Sequence, residues 1–165
     1  NVKEAENLIN SFRSKPKRIT AFSPCDLDAN LKLRMGGIKN VCKNMKIDCE
    51  VITLSRNQKE TDVLIQEQLE KGSDSFVALN SRVIFKMISS FRTLKVTVGK
   101  DANIISFDDH EAFEYMTPST SAIRQPISDI AIQSAERMVE RLKDNSLSFG
   151  KQIVLDCEFI CRNSH

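Results

Sequence analysis

The side chains of this sequence that could do chemistry gather at four short polar steps. Each closes an apolar run: Ser23-Pro24-Cys25, Ser55, Asn80-Ser81 and Asp108-Asp109. Hydroxyls, amides and carboxylates so placed can donate to and accept from a polar ligand. They are poorly arranged for making or breaking bonds. Ser23, Ser55 and Ser81 lack the Gly-x-Ser-x-Gly setting of an activated nucleophile. His110 directly follows Asp108-Asp109, and adjacent residues on a turn point apart, so no triad is expected. No phosphate loop or Gly-x-Gly-x-x-Gly occurs. Cys25, Cys42, Cys49, Cys157 and Cys161 form no Cys-x-x-Cys, and His110 and His165 lie near no cysteine pair, so neither metal nor cofactor is expected. A phospho-receiver would use Asp108 or Asp109 as acceptor. It would also need an adjacent acidic pair at the first strand end, whereas Asp26 and Asp28 are separated and lie past Pro24. Ligand binding without catalysis is the chemistry these residues suit, with ordinary βα turns and helix caps as the rival reading.

Composition narrows the partners. The chain has 165 residues, with 24 Lys+Arg against 22 Asp+Glu and a net charge of +2. That near-neutrality removes a global electrostatic case for nucleic-acid binding. The basic run Arg13, Lys15, Lys17 and Arg18 has no interleaved aromatics and reads as a solvated linker. No apolar run approaches the roughly 20 residues of a membrane helix. An odd cysteine count at irregular spacing reads as free thiols, and therefore as a cytoplasmic protein. The first residue is Asn1 rather than Met, inside a helical pattern, which reads as a fragment or a processed start.

The elements that must position the polar steps follow from periodicity. Val2, Ala5, Leu8, Ile9 and Phe12 recur at helical spacing, as do Val83, Ile84, Met87, Ile88 and Phe91. Helices are predicted over Ala29 to Met45 and Thr61 to Lys71, the second stopped by Gly72. Gly36-Gly37 within the first suggests close approach by another element. Short uninterrupted apolar runs at Ile19–Phe22, Val51–Leu54, Ser75–Leu79 and Asn103–Phe107 read as buried strands. The β-α rhythm implies an α/β fold of three layers, α/β/α, with a mainly parallel sheet. In such sheets ligands bind at the carboxyl ends of the strands, where the four polar steps lie. Tyr115 to Pro126 reads as an extended connector. Ile127 to Leu142 is the best amphipathic helix, ended by Asp144-Asn145-Ser146. Gln152 to Ile160 reads as a last strand.

Several segments together resemble the LacI/GalR family of bacterial transcription regulators. They are Val98-Gly99-Lys100-Asp101, Ile104-Ile105-Ser106-Phe107-Asp108-Asp109, Pro118 and Ile123-Arg124-Gln125-Pro126, with the closing Phe159-Ile160-Cys161-Arg162-Asn163-Ser164. Upstream, Leu33-Arg34-Met35-Gly36-Gly37-Ile38 is similar to the family's Arg-x-x-Gly-aromatic helix, and Ala78-Leu79-Asn80-Ser81 to its Ala-x-Asn-Asp step. This chain departs from the pattern at Ser81 (usually Asp), Ser106 (usually Gly), Thr120 and Ala122, and Lys95, where Gly is usual.

The resemblance implies a fragment of a two-lobe, periplasmic-binding-protein-like effector module with Rossmann-like lobes. Residues 1–14 would be a helix of an incomplete N-terminal lobe and 15–123 the C-terminal effector-binding lobe. Residues 124–150 would return to the N-terminal lobe, and 151–165 would cross back as a strand and tail. The implied function is binding a small-molecule effector, a sugar, sugar phosphate or purine, so as to control a DNA-binding helix-turn-helix outside this chain. A solute-binding protein of a transport system is the rival on the same fold. The matching family positions make Arg34 and Asp108 ligand-binding candidates, since a guanidinium can fork onto paired hydroxyls. Asn80, Asp28 and Asn30 are also candidates, each with helix capping as its rival. Ile127, after the Gln125-Pro126 hinge, is placed over the ligand, with core packing as its rival. Asp109 is expected to be a structural partner. Phe85, Tyr115 and Met116 fall in the segments through which the family forms homodimers.

Overall fold

The computed structural model describes residues 2–26, 28–143 and 152–165. Its elements run α1 (Val2–Asn10), β1 (Arg18–Ser23), α2 (Ala29–Met45), β2 (Asp48–Thr53), α3 (Gln58–Glu70), β3 (Ser75–Ala78) and α4 (Ser81–Thr93). After these come β4 (Asn103–Ser106), a 3-10 turn (Glu111–Phe113), β5 (Ser121–Arg124), α5 (Ile127–Lys143) and β6 (Glu158–Ile160). The strands join one sheet in the order β2-β1-β3-β4-β5-β6. The first five are parallel, and β6 lies antiparallel on β5.

Alternation along the strands sends side chains to two separate cores. Ile19, Ala21, Val77, Leu79 and Ile105 meet α2 through Leu31, Ile38, Val41 and Cys42. Phe22, Phe76, Ala78 and Ile104 meet α3 and α4 on the other face, through Ile65, Val83, Ile84, Met87 and Phe91. Helices on both faces make the three-layer arrangement that apolar, uninterrupted strands require.

Several expectations need correction. The helix α1, expected to be left over from another lobe, packs in this one. Ala5, Leu8 and Ile9 recur at the spacing of one helix face, and together with Phe12 they are buried in the same core as α2 and the sheet. The connector Tyr115 to Pro126 contains a strand, β5, with Ser121, Ala122 and Ile123 all buried. Conversely, the predicted strand Gln152 to Ile160 pairs only over Glu158–Ile160. Its partner β5 ends at Arg124, beyond which the chain turns into α5, so the ladder has no neighbour to continue on. α3 starts at Gln58, earlier than predicted, because the Asn57 side chain caps it. Of the Gly36-Gly37 pair, Gly37 is buried on α2, the helix that α1 packs against, whereas an added methyl at Gly36 would meet no atom within 4 Å.

The helix expected over Ile127 to Leu142 is present as α5, and none of its residues is buried. Its ending residues, Asp144-Asn145-Ser146, lie outside the described residues. Among the described residues no helix is long and apolar enough to cross a membrane.

The tail after β6 is built into the lobe. Ser164 Oγ donates to the Ile104 carbonyl at 2.6 Å and accepts from the Ser121 backbone N–H at 2.9 Å. The Ile104 N–H donates to the Ser164 carbonyl. His165 Nδ1 lies 2.8 Å from Ser121 Oγ, in a buried pairing. Gly99 makes room for this tail. Its φ is +80°, and a Cβ there would lie 2.6 Å from the Asn163 carbonyl oxygen.

Candidate functional site

The site is built at the carboxyl ends of β3 and β4, where the chain leaves the sheet and side chains from other elements can converge. α2 supplies Arg34 from its second turn. The guanidinium Nη1 donates to the Leu79 carbonyl at 2.6 Å and to Asp108 Oδ2 at 2.8 Å, and Nη2 donates to Asp108 Oδ1 at 2.8 Å. The guanidinium carbon lies over the Phe107 ring, 5.1 Å from its centroid. Gln125, which leads from β5 into α5, donates its side-chain amide to Asp108 Oδ1. Three separated segments thus meet at one carboxylate. Arg34 and Asp108 are only 12% and 25% exposed, so their pairing is more than a solvated surface contact.

The neighbouring aspartate does different work. Asp109 accepts from Arg162 Nη1 at 2.8 Å and from Arg124 Nη2 at 2.7 Å. Burial alone would raise its carboxyl pKa, but the hydrogen bonds from Arg162 and Arg124 outweigh that and hold it below the ordinary carboxylate value. Asp109 therefore ties β5 to the segment after β6, as expected of a structural partner. Ser106, where the family pattern has Gly, accepts from the Asp108 N–H at 3.4 Å and supports the turn.

Arg34, Phe107, Asn30 and Gln125 line a cleft of about 700 Å³. Its opposite wall comes from α5 and from residues 152–157, including Ile130, Gln133 and Val154. Among the described residues no cluster of His, Cys, Asp and Glu could hold a metal ion.

The structure sorts the other candidates. Asn80 caps α4: its Oδ1 accepts from the Val83 N–H at 3.0 Å, so Asn80 is the cap and Ser81 the first helical residue. Asp28 caps α2 by accepting from the Leu31 N–H at 2.8 Å. Neither lies on the cleft wall, and capping accounts for both. Asn30 does lie on it. Ile127 opens α5 beside the cleft. It is 73% exposed, and Pro126 and Ile130 take the wall on either side of it in sequence. Phe85 is in ring contact with His110 and Phe113, at 5.8 and 5.9 Å between centroids. Tyr115 is 83% exposed, while Met116 is half-buried against the α3–α4 core.

Sequence reasoning missed Gln125 as a contact of Asp108 and missed Glu4 on the cleft wall. Gln125 had a signal in its place just before Pro126 in the family-like motif. Glu4 had none, because α1 was assigned elsewhere.

Comparison with known proteins agrees with this geometry. A family model described as a periplasmic binding protein-like domain matches residues 15–165. A probable opine utilization operon repressor of Rhizobium rhizogenes is 25% identical over 98% of this chain and 74% of its own length. The transcriptional regulator KdgR of Bacillus subtilis is 24% identical over 88% of this chain and 43% of its own. The crystal structure of a LacI family transcriptional regulator from Enterococcus faecalis V583, solved with bound ribose, superposes with a TM-score of 0.80 at 20% identity. It covers 99% of this chain, which spans 59% of that protein. With the fold, the strand-end cleft and a match over nearly its whole length in agreement, the chain belongs to the periplasmic binding protein-like domain family.

Proposed function

We propose that this chain is the effector-binding and dimerisation part of a LacI-type bacterial transcription regulator, with a sugar as the effector. The observation that carries the reading is the Arg34–Asp108 fork, held by Leu79 and Gln125 at the strand ends, with Arg34 and Gln125 on the cleft wall and Asp108 behind them. Carboxylate and guanidinium side by side offer acceptor and donor at the spacing of neighbouring hydroxyls. The regulator solved with ribose supports a sugar. The chain spans about 60% of the solved regulators it matches, so DNA recognition would belong to a helix-turn-helix in the remainder. Effector binding would favour one arrangement of lobes over another and so shift the population competent to bind DNA. The proposed protein is cytoplasmic, binds without catalysing, and pairs as a homodimer through the Phe85, Tyr115 and Met116 side. A transport solute receptor is less consistent with the five free cysteines and with relatives named as repressors.

A thermal-shift panel of sugars tests the proposal. One sugar is expected to raise the melting temperature, and the shift is expected to vanish in both Arg34→Ala and Asp108→Ala. Phosphorylation by acetyl phosphate with no response to any sugar would overturn it.

A further inference from the structure

Two of the five cysteines are placed against each other. Cys42 stands in the last turn of α2, buried in the core between that helix and the sheet. The helix ends at Lys46, whose φ of +54° turns the chain back, and the Lys46 and Ile47 N–H groups both donate to the Cys42 carbonyl. β2 then starts at Asp48. Alternation along it sends Cys49 and Val51 against the α2 core, and Asp48 and Glu50 to the other face, where both accept from Arg18. The Cys42 thiol is thereby brought to donate a hydrogen bond to the sulfur of Cys49. β2 is an edge strand of the sheet, and Cys49 is half-buried on it.

The two sulfurs are not equivalent. The hydrogen bond from Cys42 draws the Cys49 thiol below its ordinary pKa, against burial and the charge of Asp48, and Lys39 and Arg18 add to the pull. The same hydrogen bond, with burial, pushes the Cys42 thiol up. Cys49 is therefore the half-buried member inclined to the thiolate, and Cys42 the protonated member behind it. That is the arrangement of an attacking and a resolving thiol. A cysteine that only fills core space needs no second sulfur beside it.

We propose that Cys49 and Cys42 form a peroxide-responsive dithiol, which closes to a disulfide tying the end of α2 to the edge strand. The Cys49 thiolate attacks one oxygen of a hydroperoxide. An S–O bond forms, the O–O bond breaks, and the other oxygen leaves as water or an alcohol with the proton that Cys49 gave up. The Cys42 sulfur then attacks the sulfenic sulfur of Cys49. The S–S bond forms, the S–O bond breaks, and the oxygen leaves as water with the Cys42 proton. The two thiols together lose two electrons, which the hydroperoxide takes up. Neither cysteine lines the effector cleft, so the proposal does not depend on what the cleft binds.

Tryptic mapping of the oxidised chain tests this. Trypsin separates the two cysteines, into peptides 40–43 and 47–56. The whole chain is treated with a small excess of hydrogen peroxide, capped with iodoacetamide and digested without reductant. Most of Cys49 is expected in a disulfide between those two peptides, and dithiothreitol is expected to return both as thiols. In Cys42→Ser, Cys49 is expected to persist as a sulfenic acid captured by dimedone, which the unaltered chain does not accumulate. In Cys49→Ser, Cys42 is expected to stay reduced. Cys25 and Cys161, both exposed, report unselective oxidation. Cys42 and Cys49 left as thiols, whatever becomes of Cys25 and Cys161, would overturn the proposal, as would Cys49 linked to any sulfur but that of Cys42. The linked peptide from the unaltered chain decides the matter even where a serine variant fails to fold.

Discussion

At the scale of single residues, one polar group can serve a helix or a ligand, and its type does not say which. Asn80, Asp28 and Arg34 all looked able to reach a ligand. The structure commits the first two to backbone N–H groups of their own helices and Arg34 to a carboxylate 74 positions away. Capping is local and is legible as a possibility, but a pairing across that separation emerges only from the fold. Lys95 shows a departure that costs stability. It stands where the family pattern has Gly and adopts φ +57°. The Lys95 N–H donates to the Arg92 carbonyl and the Val96 N–H to the Phe91 carbonyl, the pattern of a helix end that needs a left-handed residue. Lys95→Gly is expected to stabilise the chain by about 1 kcal/mol, read as a melting temperature roughly 2–4 °C higher.

Protonation also acts residue by residue. Burial lowers the pKa of His165, and the nearby charge of Arg13 adds to this. The imidazole is therefore neutral in the folded chain over a range in which the unfolded chain takes up a proton. The unfolded state then binds more protons, so stability falls as pH drops below the ordinary histidine value of about 6.5. Asp109 has the depressed carboxyl, so its contribution is present above about pH 4 and is lost on further acidification through its folded pKa. Denaturant melts between pH 7.5 and 5 are expected to show the His165 slope, at most about 1.4 kcal/mol per pH unit. In His165→Asn that slope is expected to flatten.

At the scale of elements, strands and helices with a clean apolar period were readable. α2 runs over the predicted Ala29–Met45, and the four parallel strands β1 to β4 fall within a few residues of the apolar runs. The elements that escaped had their polar atoms satisfied from a distance. β5 carries Ser121 in a fully buried position because Ser164 and Arg162 complete its hydrogen bonds from the tail. Nothing near Ser121 in sequence announces those partners. α1 has an apolar face fit for any core, and its period alone could not say which sheet it covers. The tail's seat makes Gly99 the position most sensitive to a single methyl. Gly99→Ala combines a left-handed backbone with a clash against the Asn163 carbonyl, and no flexible side chain is there to yield. It is expected to cost about 2 kcal/mol or more and to lower the melting temperature by several degrees.

At the scale of the whole molecule, two surfaces set this chain apart from a self-contained lobe. α5 buries none of its residues and forms one wall of the cleft. On the α3–α4 side of the sheet, Phe85 stands exposed against the Phe113 ring, and Tyr115 is exposed two residues further along the chain. If the chain pairs through that side, Phe85→Asp with Tyr115→Asp is expected to convert a dimer to a monomer in analytical ultracentrifugation. Binding of sugar to each subunit is expected to survive, because neither residue lines the cleft.

The central claim is that a sugar is held by Arg34 and Asp108 at the strand ends. The direct measurement is a titration of nitrogen-15-labelled protein with the sugar that stabilises it, followed through the side-chain N–H signals of Arg34 and Gln125. The account expects the Arg34 Nε–H and the Gln125 amide to shift first and most, with the same midpoint as the thermal stabilisation. Saturable binding that leaves both signals in place, with its shifts confined to other faces of the lobe, would contradict it.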